Sequence, residues 1–126
     1  MAISKVALIR YVENGKIYRW KEETILNASM GLLVERIPLA CLQEELNQDH
    51  WFQSYDNPTV LNVIKHFKRI ISAELHYPII ISPTGRILDG IHRLAKAWLS
   101  QEITIDVVRL KELPESDYDN DEAFLE

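Results

Sequence analysis

Tyr77-Pro78-Ile79-Ile80-Ile81-Ser82-Pro83-Thr84-Gly85-Arg86-Ile87-Leu88-Asp89-Gly90-Ile91-His92-Arg93 is the stretch whose reading decides the fold. It opens on a short apolar run, Tyr77 to Ile81. Ser82-Pro83-Thr84-Gly85 follows, with proline and glycine where a tight type I turn places them. A second short run, Arg86-Ile87-Leu88, leads into Asp89-Gly90-Ile91-His92-Arg93. Beyond it Ile91, Leu94, Ala95, Trp98 and Leu99 recur at helical spacing, and Thr104 to Val108 is β-branched and strand-like. The order is strand, turn, strand, helix, strand, with Asp89 and Gly90 where a strand becomes a helix.

That junction has a physical meaning. The first turn of a helix leaves N–H groups unpaired and carries the positive end of the helix dipole. Acids belong there, yet this sequence places His92 and Arg93 in the turn, after a glycine that permits close approach to the backbone. Arginine beside the N–H groups that follow Gly90, beginning with that of Ile91, describes an anion site, phosphate above all. The plainer alternative is that Asp89 caps the helix while His92 and Arg93 face solvent. Because Ile91, Leu94, Ala95 and Trp98 claim the buried arc, Arg93 is expected to lie off it, and its removal to cost the unliganded fold little.

The cluster resembles the signature of the ParB/sulfiredoxin-like superfamily, which carries Gly-x-x-Arg or Gly-x-His-Arg between a strand and a helix. Gly90, His92 and Arg93 match the second form, and Ala97 fits the small residues of the family helix. Leu33-Val34-Glu35-Arg36-Ile37-Pro38-Leu39 is similar to the family's opening strand with its Ile-Pro step, so the resemblance spans roughly residues 33–110. It implies an α/β (α+β) fold, a small mixed sheet of strands near 33–38, 77–82, 86–89 and 104–109 with helices 59–75 and 91–100 packed on it. It also implies a phosphorylated small-molecule ligand, a nucleoside di- or triphosphate, with Mg2+ arriving alongside. Arg93 and the N–H groups after Gly90 would hold phosphate, His92 would contact or position it, and Asp89 would cap the helix or help hold the magnesium.

The departures matter too. Sulfiredoxins place a reactive cysteine between the glycine and the histidine; here that position is Ile91, and the only cysteine, Cys41, lies far away in sequence. Segregation proteins of the ParB type continue into a Glu-Asn-x-x-Arg motif and a helix-turn-helix domain, neither of which has a counterpart after Leu110. A third branch phosphorylates free serine with an acidic base near the first strand, and Glu44 and Glu45 fall in that region.

At 126 residues, 47% hydrophobic and 26% charged, the chain reads as one globular domain over residues 1–111, with its core at about 33–110. A single cysteine excludes an internal disulfide framework and fits a reducing cytoplasm. No apolar run approaches the roughly 18–20 residues a membrane helix needs, and the opening residues do not read as a signal peptide. The net charge of −5 is uneven: residues 112–126 hold seven acids and no base, while the rest has 14 bases against 12 acids, or +2. Such an acidic tail is usually a solvated or disordered end, and it argues against sequence-specific DNA binding.

Residues 1–32 read as an N-terminal elaboration. Val6 to Val12 could be strand or helix, Glu13 to Lys16 a turn, and Arg19 to Ala28 has helical composition. Leu32 to Leu39 reads as a strand and Ala40 to Leu46 as a short helix. Asn47 to Pro58 is a polar loop bearing Trp51, Phe52 and Tyr55, which either stack on a base or, more often, tuck onto the core.

Thr59 to Leu75 is the best helix in the chain. Val60, Val63, Ile64, Phe67, Ile70, Ile71 and Leu75 form one apolar stripe, expected to be the buried face. Thr59, Asn62, His66, Arg69 and Ala73 recur at its edge, so His66 and Arg69 could point into the phosphate pocket, His66 as a catalytic group; the alternative is a solvated basic face. His50, His66, His76 and His92 are widely separated and show no zinc pattern, so no metal site is built from the chain itself.

Overall fold

The computed structural model describes residues 8–52 and 57–118. Among these residues six strands form two sheets, accompanied by three α-helices and one 3-10 helix, an α+β architecture. Strands β1 (Leu8–Glu13) and β2 (Lys16–Lys21) make an antiparallel hairpin, closed by Asn14 and Gly15, both at positive φ (51° and 79°) as a two-residue primed turn requires. Helix α1 (Glu22–Ser29) follows directly, so Arg19 to Lys21 belong to the strand and not to the helix their composition suggested.

The second sheet has the order β3-β6-β4-β5, built from β3 (Val34–Pro38), β4 (Ile79–Ile81), β5 (Ile87–Asp89) and β6 (Thr104–Arg109). β3 runs antiparallel to β6, β6 parallel to β4, and β4 antiparallel to β5, so the sheet is mixed. Side-chain alternation divides its residues between two cores. Ile79, Ile81, Ile87, Ile105 and Val107 pack under the 3-10 helix (Leu39–Asn47) and helix α3 (Ile91–Leu99), through Leu39, Leu42, Leu94 and Ala97. Ile80, Leu88 and Leu110 meet Tyr11 and Trp20 of the hairpin and Ile25 of α1 on the other face. Both faces are covered, which is why β4 reads as an unbroken apolar run.

The expected acidic tail is in part a strap. Through Tyr118 it runs along the hairpin: Trp20 Nε1 donates to Pro114 O (3.1 Å), Arg19 N to Ser116 Oγ (2.7 Å), and Asp117 N to Arg19 O (2.8 Å). The Asp117 carboxylate accepts from Lys21 N and Thr24 Oγ1, doing for the start of α1 what no side chain of α1's own flank does. Residues 119–126, the most acidic part, lie outside the described residues.

Helix α2 (Val60–Ser72) begins at Thr59, whose side chain accepts from Asn62 N (3.2 Å). It packs chiefly on α3, and the face it buries is not the expected one. His66 and Ile70 are its buried residues, whereas Val60, Val63, Ile64, Phe67 and Ile71 are between 45% and 78% exposed. The apolar stripe is real, but it looks outward.

Candidate functional site

The strand-to-helix junction falls where the sequence placed it. Gly90 is the N-terminal flanking residue of α3, at φ 110°, ψ 24°, a left-handed conformation that L side chains rarely adopt. The first helical bond runs from Leu94 N to Gly90 O, so the N–H groups of Ile91, His92 and Arg93 precede the ladder. Gly90 has no side chain with which to cap them, and no acid stands in the first turn.

Asp89 does not cap the helix. Its Oδ2 accepts from Arg93 Nη2 at 2.9 Å, while Arg93 Nη1 donates to Pro78 O at 2.8 Å. Arg93 therefore lies inside the junction, tying the helix back to the entry of β4. This corrects two expectations: Arg93 is a half-buried structural residue, not a side chain standing off the packed surface, and Asp89 has its charge matched by arginine. The close approach that Gly90 allows is made by the chain itself. A Cβ there would stand 3.0 Å from Arg93 Nη2 and 3.0 Å from Ile79 Cγ1.

His92 and His66 are brought together from 26 residues apart. His66 Nδ1 and His92 Nε2 are 3.0 Å apart and the ring planes differ by 7°, so the imidazoles lie side by side and share one proton. Trp51 covers both, its indole within 9° of each ring plane and 4.3 and 5.1 Å from their centroids. Phe52 stands edge-on against Trp51 and His66. Burial pushes the His92 pKa down from 6.5 to about 4, helped by the positive charge of His66, Arg69 and Arg93. At neutral pH His92 is thus an uncharged imidazole in a positive field. The Trp51 indole N–H is buried and finds no hydrogen-bond partner among the described residues.

Of the residues singled out from sequence, Gly90, Ile91, His92, Arg93 and Asp89 share one junction, His66 touches it, and Arg69, on the exposed side of α2, acts on His92 through its charge. Tyr55 lies outside the described residues. Glu45 is buried, not poised as a base: its Oε2 accepts from Ile87 N at 2.6 Å, with Arg86 and His50 alongside. Burial alone would raise its pKa, but these partners outweigh it and hold the carboxyl below the usual range. Glu45 pins the start of β5, a role that no local pattern announces. Among the described residues no group of three His, Cys, Asp or Glu side chains is placed to hold a metal ion. Among the described residues no helix is long and apolar enough to cross a membrane.

No protein-family model, characterised protein or solved structure matches the chain.

Proposed function

We propose that the chain binds a phosphorylated small molecule at the N-terminal end of α3, a nucleoside di- or triphosphate being the class that suits it best. The observation carrying this reading is the uncapped, acid-free first turn of α3 with His92 in it and Arg69 close by. The N–H groups of Ile91, His92 and Arg93 and the Arg69 guanidinium would receive phosphate oxygens. Arg93 and Asp89 are positioning residues here: their ion pair fixes the junction that aims those N–H groups. Mg2+, if it accompanies the ligand, would be carried by the phosphates, because Asp89 is already matched by Arg93.

Should turnover occur, the equipment suits phosphoryl transfer or nucleotide hydrolysis, which depend on positioning and charge neutralisation. His92, neutral and hydrogen-bonded to His66, can accept a proton and pass one along the pair. Trp51, flat on both imidazoles, offers an apolar plane beside the phosphate position. A thermal-shift panel of nucleotides, with and without magnesium, tests the proposal: a binder present at about 100 times its Kd adds about 2.7 kcal/mol of stability. A second reading, a non-catalytic adaptor that retains the fold, is favoured by one observation, the outward apolar stripe of α2.

A further inference from the structure

Going round α2 from its buried residues, His66 and Ile70, the outward stripe of Val60, Val63, Ile64, Phe67 and Ile71 comes next, followed by Leu61, Lys68 and Lys65. Five contiguous apolar residues, each about half exposed or more, make a patch on the order of 500 Å². That is at the upper end of what a monomer leaves in one patch. It would fill the apolar centre of an interface that buries about 800 Å² per partner.

The order of the stripe indicates what covers it. Set antiparallel to another α2 about a twofold axis between Lys65 and His66, Val60 faces Ile71 of the second copy and Ile64 faces its Phe67. Both pairings recur by symmetry, so the stripe is complementary to itself, as an isologous contact requires. The same twofold brings the Lys68 flanks of both copies to one side of the contact. That repulsion at an exposed rim is weak and is screened by salt. An anionic membrane is a poorer match for a chain of net charge −5. We infer that the protein is a homodimer through α2, with the Val60–Ile71 stripe as its contact. His66 lies beside this contact on the same helix, whereas Arg69, nearly opposite the stripe, stays outside it.

Sedimentation equilibrium of the full chain from about 1 µM to about 1 mM tests this. We expect dimer mass at the upper end, association unchanged or strengthened by added salt, and a dissociation constant raised about 100-fold or more by Phe67→Glu or Ile64→Glu. Circular dichroism of both variants should stay that of wild type, since each site is about half exposed. In a Cys41→Ser background, a mixture of V60C and I71C proteins should form the mixed disulfide in preference to either homodisulfide. A monomer throughout, a dimer that survives both glutamate variants, or Phe67-dependent binding to anionic vesicles by a monomer would overturn the inference.

Discussion

Arg93 and Asp89 stand one helical turn apart on opposite sides of Gly90, and their side chains meet at 2.9 Å across it. With the second bond to Pro78 O, this pair locks the strand-to-helix junction from within. Arg93→Ala should therefore destabilise the unliganded protein by about 2 kcal/mol, the range for hydrogen bonds to charged groups. Arg93→Lys should recover little, because a point charge does not reproduce two directed N–H groups. Urea denaturation measures both; a variant as stable as wild type would return Arg93 to the role of a free anion receptor.

Gly90→Ala should cost more than a mid-helix change of the same kind. The left-handed backbone alone costs roughly 1–2 kcal/mol for a residue with Cβ, and the new atom would press on Ile79 and the Arg93 guanidinium. A loss of about 3 kcal/mol is expected in the same assay. A neutral substitution would mean that the junction is looser than its contacts imply.

Much of this was legible in the sequence, and what was not shares a cause. The strands expected near 33–38, 86–89 and 104–109 and the helix near 91–100 are present within a residue or two, because apolar period and turn chemistry are local signals. The stripe of α2 was legible as a stripe, but periodicity does not say what covers it, and here His66, from the polar line at its edge, faces inward with Ile70 instead. The His66–His92–Trp51 stack, the Glu45 anchor and the Asp117 strap each join residues distant in the chain, so spacing carries no trace of them. Arg93 was misjudged because a helical wheel ignores what precedes the helix, and its partners are Pro78 and Asp89.

His92 gives the stability a pH dependence. Its folded pKa, about 4, lies below the ordinary 6.5, so between these values the unfolded chain binds a proton that the folded chain refuses. Stability is full above pH 6.5 and falls as pH drops toward 4. Glu45, also lowered, adds its own loss only below its ordinary 4.5. The upper part of the window thus belongs to His92, with a loss on the order of 2 kcal/mol between pH 7 and pH 4.5. His92→Gln should flatten that slope; a slope that persists in the variant assigns it elsewhere.

Asp117→Ala should fray α1. The carboxylate serves Lys21 N and Thr24 Oγ1 together, so about 1 kcal/mol should be lost. Amide hydrogen exchange should accelerate at the start of α1 and along β2 while α3 stays protected. Exchange rates unchanged at α1 would show that residues 114–118 do not hold it.

Phosphate recognition at α3 is tested most directly by backbone amide NMR during titration with a nucleoside triphosphate. Saturable shifts concentrated at Ile91, His92 and Arg93 are expected, weakened about tenfold or more by Arg69→Ala, with the fold of that variant intact because Arg69 is exposed. Shifts scattered over lysine-bearing surfaces, or none at the first turn of α3 at millimolar ligand, would contradict it.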